Sequence, residues 1–131
     1  MTILVNWKAK DLQEGMENMM LGAKADYEEF FTARGKKEIV PGSYADTQLK
    51  EYDSKTKVFI GKKFIKVVQD RSVFAFIVKE DTDKCKKGDI LKPAGYNAPA
   101  QNGARGNVLT GNYYIQWTGP LYMDSQRRLR G

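Results

Sequence analysis

The chain reads Lys57-Val-Phe-Ile-Gly-Lys-Lys-Phe-Ile-Lys-Val-Val-Gln-Asp70 and then Arg71-Ser-Val-Phe-Ala-Phe-Ile-Val-Lys79 in the stretch that decides its fold. Both runs are rich in valine, isoleucine and phenylalanine, which are typical of strands. The polar residues 69–72 separate the two runs, and we predict that they form a hairpin turn. Gly61 interrupts the alternation of the first strand and predicts a β-bulge. The stretch therefore predicts a hairpin of two basic strands.

The same stretch carries the clearest charge bias in the chain. Eleven of the 22 lysines and arginines fall between Lys55 and Lys92, where five acidic residues oppose them, so this segment has a net charge of +6. Residues 1–54 carry −3 and residues 93–131 carry +3. A strand pair that is both apolar and cationic must bury one set of side chains and present the other to water or to a partner. We therefore expect a polarised molecule with a basic sheet and an acidic front.

The basic residues of the first strand need not form one surface. Strict alternation places Lys62, Phe64 and Lys66 on one face of the strand, whereas Lys63 lies on the other. The expected bulge at Gly61 leaves the register upstream of it open. Lysine density in the sequence is thus a charge bias before it is a patch.

Length and composition predict a single domain spanning residues 1–131, with a flexible basic tail at about 124–131. A hydrophobic fraction of 41% argues against disorder of the whole chain. No apolar run approaches the roughly 18 residues of a membrane span, and the first residues do not have the pattern of a signal peptide. One cysteine permits no internal disulfide. We therefore expect a cytoplasmic protein that does not contact a membrane.

The chain contains no histidine, which is the commonest general acid–base and the commonest metal ligand. Nucleophilic dyads built on histidine are therefore excluded within this chain. Asp53-Ser-Lys55 fits half of a metal-dependent nuclease motif, and Glu80-Asp-Thr-Asp83 offers carboxylates for a divalent cation, but neither has supporting ligands at recognisable positions. We expect no enzyme, no cofactor and no metal site, with a metal-dependent nuclease or hydrolase as the lesser alternative.

A helix is predicted before the basic strands. Asp11 is a good N-cap, and Glu14 three residues later completes a capping-box pattern. Apolar residues then recur at helical spacing up to the natural stop at Gly35. The stripe consists of Leu12, Met16, Met19, Met20, Ala23, Tyr27, Phe30 and Phe31. Gly15 and Gly22 weaken the helix, so it is either continuous or broken near Gly22.

Shorter elements complete the predicted architecture. We expect a short strand or an extended lead-in segment at residues 2–7, a turn into a short strand at 88–92, and a strand at 112–117. One or two helical turns are expected at 44–52, and a long segment without regular pattern at 93–111. The fold class is therefore α+β, with an N-terminal helix or broken helix packed on a small, strongly bent antiparallel β-sheet or open barrel. The candidate core consists of Val58, Ile60, Phe64, Ile65, Val67, Phe74, Phe76, Ile77, Ile115 and Trp117.

Six blocks in the second half of the chain occur in a characteristic order. They are Phe64-Ile-Lys-Val-Val68, Phe76-Ile-Val-Lys79, Lys87-Gly-Asp-Ile-Leu-Lys92, Ala94-Gly-Tyr-Asn-Ala-Pro-Ala100, Ala104-Arg-Gly-Asn107 and Ile115-Gln-Trp-Thr-Gly-Pro-Leu-Tyr122. Together they resemble a family of small uncharacterised proteins from tailed phages, largely from marine and myovirus-like genomes. The resemblance implies a phage or marine-metagenome source and action in the cytoplasm of a bacterial host. It implies no activity and no binding residues.

The basic strands make non-specific nucleic-acid binding the leading functional hypothesis. Lysine and arginine side chains neutralise phosphates, and exposed aromatic rings stack on unpaired bases. The candidate phosphate contacts are Lys57, Lys62, Lys63, Lys66 and Arg71, and the candidate stacking rings are Phe64, Tyr96, Tyr113 and Tyr114. The alternative is that the lysines cover the solvated face of a half-buried sheet. In that case the protein is an interaction or self-associating module that binds a host or phage protein, or itself, through the helical stripe or a strand edge.

Arg105 is a further candidate contact. It lies in Gly103-Ala-Arg-Gly-Asn107, where glycines permit close backbone approach and the guanidinium suits a phosphate or a carboxylate. The segment matches neither a phosphate-binding loop nor a dinucleotide fingerprint, because no strand precedes it and no helix follows it. The alternative for Arg105 is an ordered loop in which it pairs with a carboxylate or caps carbonyl groups.

Overall fold

A computed structural model describes residues 2–33 and 35–121 of the chain, so the basic tail expected at about 124–131 lies outside the described residues. Two α-helices occur in the described part, α1 (Leu12–Thr32) and α2 (Tyr44–Lys50), followed by a 3₁₀ helix at Asp53–Lys55. The strands are β1 (Ile3–Val5), β2 (Thr56–Ile60), β3 (Phe64–Gln69), β4 (Ser72–Val78), β5 (Ile90–Leu91), β6 (Pro93–Gly95), β7 (Ala98–Pro99), β8 (Tyr113–Gln116) and β9 (Gly119–Pro120).

The strands form three antiparallel sheets. The largest has the order β2-β3-β4-β5, the second has the order β1-β8-β9, and β6 and β7 make a small separate hairpin. Helix α1 packs against β1 and β8. The α+β class and the helix packed on an antiparallel sheet are therefore confirmed, and the described residues form no closed barrel.

The basic stretch forms three strands, whereas the sequence predicted two. Ile60 pairs with Ile65, and the Gly61 amide donates to the Phe64 carbonyl at 2.9 Å, so Gly61 opens the turn between β2 and β3. The bulge predicted at Gly61 is therefore wrong; the register shift lies between Val67 and Val68, where β3 faces β4. The turn predicted at residues 69–72 is confirmed, because Gln69 pairs with Ser72. The prediction failed at Gly61 because apolar runs of the same period flank the turn on both sides.

Helix α1 begins as predicted and continues through both of its glycines. The Asp11 side chain accepts a hydrogen bond from the Glu14 amide at 2.9 Å, as an N-cap does. A β-carbon at Gly22 would lie 2.7 Å from Cγ2 of Val5 and 3.0 Å from Cγ2 of Ile115. The predicted alternative of a break near Gly22 is therefore wrong. The glycine allows the helix to approach β1 and β8 more closely than any side chain would permit.

The main core lies between α1, the sheet containing β1 and β8, and one face of β3, β4 and β5. Its buried members include Met19, Ala23, Val5, Ile115, Ile65, Val67, Ala75, Ile77 and Ile90. A second apolar cluster covers the opposite face of the large sheet and contains Phe76, Val78, Leu91 and Cys85. Strand β4 is therefore buried on both sides, which explains its nearly continuous apolar sequence, whereas β3 is only partly buried at Phe64 and Lys66.

Most of the predicted core is confirmed, but Val58 and Ile60 are not part of it. Both are exposed on β2, which pairs only with β3 and has no strand on its other side among the described residues. Phe64 and Trp117 are partly buried. The prediction failed because β2 and β3 have similar compositions, and composition does not reveal which strand lies at the edge.

Asp26 is a carboxylate inside the core. It is fully buried on α1, and its Oδ2 accepts a hydrogen bond from the Trp117 amide at 2.9 Å. Burial raises the pKa of Asp26, and the amide of Trp117 counteracts only part of that effect. The ring of Trp117 packs on Tyr27 and Phe30, with centroid distances of 5.0 and 5.3 Å. The carboxylate thereby attaches the end of β8 to the middle of the helix.

We expect Gly15→Ala to lower the free energy of unfolding by about 1–3 kcal/mol, the usual cost of overpacking. A β-carbon at Gly15 would lie 2.6 Å from the carbonyl oxygen of Val108, and a backbone atom yields little. Helix propensity alone predicts a gain of about 1 kcal/mol. Ala25→Gly, at an exposed position of α1, is the matched control for propensity. Urea denaturation that shows Gly15→Ala to be more stable than the wild type would contradict the close packing.

We expect Asp26→Asn to gain stability relative to the wild type as pH rises above 3.8, the ordinary pKa of the carboxyl group. The raised pKa means that the folded protein holds this proton more tightly than the unfolded chain does. Wild-type stability therefore falls between the unfolded and folded pKa values and is constant above them. Asn retains an oxygen for the Trp117 amide, whereas Asp26→Ala leaves that amide unpaired and costs about 1–3 kcal/mol. Urea denaturation over a pH series measures both; a pH-independent difference for the Asn variant argues against the raised pKa.

Candidate nucleic-acid interface

One face of the large sheet combines lysines with aromatic rings. Phe59 of β2 and Phe76 of β4 are the cross-strand partners of Lys66 on β3, so these three side chains point to the same side. Lys57 and Phe64 lie two residues from Phe59 and Lys66, respectively, and alternation puts them on that side too. This side faces away from the main core. We call it the outer face, defined by Lys57, Phe59, Phe64, Lys66 and Phe76.

Lys66 is held between aromatic rings on the outer face. Its Nζ lies 4.0 Å from the ring centroid of Tyr96 and 5.4 Å from that of Phe59. The ammonium also donates to the carbonyl of Tyr96 and to Oδ1 of Asn97, each at 3.4 Å. The hairpin of β6 and β7 therefore places an aromatic ring above the sheet. Tyr96 remains 55% exposed, so much of that ring stays available to a ligand.

Further lysines gather at the turn between β2 and β3. Lys62 and Lys63 are exposed in this turn. Lys79, at the end of β4, donates from Nζ to the carbonyl of Gly61 at 2.9 Å and from its amide to the carbonyl of Lys63 at 3.1 Å. A shallow cleft of about 260 Å³ joins this turn to the outer face. The cleft is lined by Phe59, Ile60, Gly61, Lys62, Lys63, Phe64, Lys66, Phe76 and Asn97.

No carboxylate neutralises these lysines within the described part of the chain. All four ion pairs found there involve other lysines: Lys10–Glu14, Lys24–Asp53, Lys50–Asp46 and Lys55–Glu51. These pairs lie in the acidic front and in the 3₁₀ helix that precedes β2. Within the described residues, the lysines of the outer face and its turn therefore have carbonyl, amide or ring contacts at most, and no ion pair with a carboxylate.

Arg71 does not join the four predicted lysines. It lies in the turn between β3 and β4, at the opposite end of β3 from Lys62 and Lys63. The turn begins at Gln69, about 10 Å along the strand from Lys66. There it lines a separate cavity of about 320 Å³ together with Tyr27, Lys55 and Trp117. The structure thus brings together Lys62, Lys63 and Lys66 around one cleft. Lys57 lies farther along the outer face, opposite Val68, and Arg71 lies in the turn beyond it.

Arg105 is engaged by its own loop. Only 4% of the residue is exposed, and Nη1 donates to Oδ1 of Asn102 at 2.7 Å and to the carbonyl of Gly103 at 2.8 Å. The predicted alternative, an ordered loop in which the arginine caps carbonyl groups, describes this arrangement. Nearby, burial lowers the pKa of Lys92, with the positive charge of Arg105 as the second cause. Arg105 is therefore better explained as a support of the loop than as a ligand contact.

Only two of the four candidate stacking rings lie at the outer face. Tyr96 and Phe64 border the outer face, whereas Tyr113 is buried and Tyr114 is half-buried on β8, in the other sheet. Burial raises the pKa of Tyr113 above its ordinary value. Sequence reasoning missed Phe59, whose ring is exposed beside Lys66. The signal for it was present, because a turn at Gly61 would have placed Phe59 directly opposite Lys66.

The described residues contain no cluster of acidic or cysteine side chains that would hold a metal ion. Asp53 and Lys55, which fit half of a nuclease motif, each have other partners. Asp53 lies 3.3 Å from Nζ of Lys24, and Nζ of Lys55 donates to Gln48 at 3.1 Å and lies 3.5 Å from Glu51. The pair therefore contributes to the surface around the 3₁₀ helix.

No described helix has the length and apolar character required to span a bilayer. The resemblance of residues 64–122 to tailed-phage proteins stays a prediction. No family model matches the chain, and neither a curated protein nor a solved structure shows significant similarity to it.

Proposed function

We propose that the protein binds single-stranded nucleic acid, without sequence preference, on the outer face of its large sheet. The phosphates contact Lys57, Lys62, Lys63 and Lys66, and one or two bases stack on the rings of Tyr96 and Phe59. Single-strand binders combine such a cationic groove with aromatic platforms, because every base has a π-face and every nucleotide carries a phosphate. The lack of specific polar contacts makes this recognition tolerant of sequence.

The observation that carries this proposal is the coincidence of exposed rings and unneutralised lysines on one face. Lysines spread over a solvated surface would not require an aromatic residue beside them. Here Lys66 contacts two rings, and both rings remain about half exposed. A partner that covers an exposed aromatic ring removes apolar surface from water, which is favourable. A nucleobase can stack on the rings while the phosphate of the same nucleotide pairs with the ammonium groups.

The rings favour a single strand over a duplex. In an intact duplex the bases stack on each other, so their faces are not available to Tyr96 or Phe59. Duplex DNA would engage the lysines alone and would therefore bind more weakly. The phage resemblance implies a bacterial cytoplasm as the site of action, where single-stranded RNA and DNA both occur.

We expect binding of a short single-stranded oligonucleotide to weaken steeply as salt increases. Four lysine–phosphate contacts correspond to a slope of about −3 in a plot of log K against log salt concentration. Raising the salt from about 50 to about 200 mM should therefore weaken binding roughly 60-fold. Fluorescence anisotropy with labelled oligonucleotides measures this slope. Undetectable binding at the lower salt concentration, or affinity that does not change with salt, would overturn the proposal.

The chain provides a matched control for the charge. Lys62→Ala with Lys63→Ala should weaken binding and make the slope shallower by about 1.4, since each phosphate contact contributes about 0.7 on a single strand. Lys36→Ala with Lys37→Ala removes the same charge from another exposed, adjacent pair, in the loop before α2. If both double variants lose equal affinity, the net charge of the protein binds nucleic acid and the outer face has no special role.

We expect Tyr96→Ala to lower affinity for a single strand by about 1–3 kcal/mol, the usual contribution of one base stacked on an aromatic ring. The salt slope should stay unchanged, because no phosphate contact is lost. Tyr44→Ala, which removes an exposed ring on α2, is the control and should bind normally. Anisotropy titrations of both variants measure the difference. Equal affinity of Tyr96→Ala and the wild type would remove stacking from the proposal and leave charge alone.

A further inference from the structure

Strand β2 has an open edge. The Gly61 amide donates to the Phe64 carbonyl and the Asp70 amide donates to the Lys55 carbonyl, so the backbone groups of the odd-numbered residues face β3. Hydrogen-bonding directions alternate along an antiparallel strand. The amides and carbonyls of Val58 and Ile60 therefore point away from the sheet. No described strand pairs with them.

The side chains of this edge strand are also unusually apolar. The exposed fractions of Val58, Phe59 and Ile60 are 45%, 49% and 72%. Natural edge strands are normally short, charged or covered, because an exposed apolar edge pairs with other strands. Beside β2 lies a groove of about 600 Å³, lined by Gln13, Met16, Glu17, Met20, Leu21, Asp53, Thr56, Val58, Ile60 and Val67. A strand added to this edge would cover both the backbone groups and the groove margin.

We propose that a second copy of the chain pairs here, through its own β2, in an antiparallel register centred on Phe59. In this register Val58 of each copy lies opposite Ile60 of the other. Each of the two pairs exchanges two hydrogen bonds, so all outward backbone groups of Val58 and Ile60 are satisfied in both copies. The two four-stranded sheets become one continuous eight-stranded sheet.

The position of Thr56 favours this register over the neighbouring one. A dimer centred on Val58 would place Ile60 of one copy opposite Thr56 of the other and would require the Thr56 amide. That amide already donates to the carbonyl of Asp53 in the 3₁₀ helix. The register centred on Phe59 leaves this bond intact. The edge of β2 therefore favours two-fold symmetric pairing with a second β2 in the register centred on Phe59.

The side chains of the two copies complement each other in that alignment. On the groove side, Val58 of one copy packs against Ile60 of the other. On the outer face, the two Phe59 rings meet at the two-fold axis. The basic outer faces of the two copies thus become one surface.

Sedimentation velocity over a range of protein concentrations tests the pairing. We expect the wild type to form dimers as concentration rises, and Val58→Lys with Ile60→Lys to stay monomeric because it places charges on both sides of the edge. Both positions are exposed, and circular dichroism checks that the variant is folded. Val40→Lys, at an exposed apolar position in the loop before α2, is the control and should dimerise normally. A wild type that remains monomeric at every concentration would overturn the inference and leave a different extended partner for the edge.

Disulfide trapping tests the register. Phe59→Cys should form a cross-linked dimer on mild oxidation, because directly opposed residues in a non-hydrogen-bonded antiparallel pair have the closest side chains. Lys57→Cys, two residues away on the same face, should cross-link poorly, since the register places it opposite Gly61. The native Cys85 is buried and is expected to remain reduced. Equal cross-linking of both variants would overturn the register centred on Phe59.

These experiments test the proposed pairing of β2 strands and the proposed nucleic-acid binding separately. The variant with lysines at residues 58 and 60 keeps Lys62, Lys63, Lys66 and Tyr96 but adds positive charge beside the cleft. A monomer whose affinity for oligonucleotides still falls when Tyr96→Ala is added therefore retains the proposed function. A dimer that binds no oligonucleotide would retain the pairing and lose the function.

Discussion

The close contact of helix α1 with β1 and β8 determines which surface of this protein is available for binding. At Gly22 the helix lies so near Val5 and Ile115 that an added β-carbon would overlap both. This contact closes the main core on one side of the large sheet. The buried bond from Trp117 to Asp26 secures the same junction at the end of β8. Within the large sheet, Lys57, Lys66 and the exposed ring of Phe59 consequently lie on the opposite side.

The sequence predicts those structural elements correctly that depend on residues close together in the chain. The N-cap at Asp11, the turn at residues 69–72 and the short strands near both ends of the described chain follow from capping, turn and alternation rules. It failed where the outcome depends on long-range packing. Gly22 was interpreted by its helix propensity, although its role is set by side chains from β1 and β8. The main error, at Gly61, hid the turn that gathers Lys62, Lys63 and Lys79.

The candidate site was predicted in part for the same reason. Charge density identified three lysines that line one cleft and a fourth, Lys57, farther along the same face, but it also included Arg71 and Arg105. Arg71 lies at the far end of a hairpin, and Arg105 is nearly inaccessible because its loop uses the guanidinium. Neither fact follows from counting charges. The aromatic rings that lie beside Lys66 come from β2 and from the hairpin of β6 and β7. Their approach to Lys66 depends on strand pairing that the predicted two-strand hairpin did not contain.

The proposed edge pairing and the proposed phosphate binding involve neighbouring atoms of β2, so each would influence the other. Joining two outer faces brings lysines of the same charge together, which opposes dimerisation at low salt. A polyanion lying across the shared surface would remove that repulsion and add contacts from both copies. By linkage, whatever factor the nucleic acid contributes to dimer affinity, the dimer contributes equally to nucleic-acid affinity. An apolar edge bordered by lysines would then pair more weakly while the basic face is empty and more strongly when a nucleic-acid strand covers both copies.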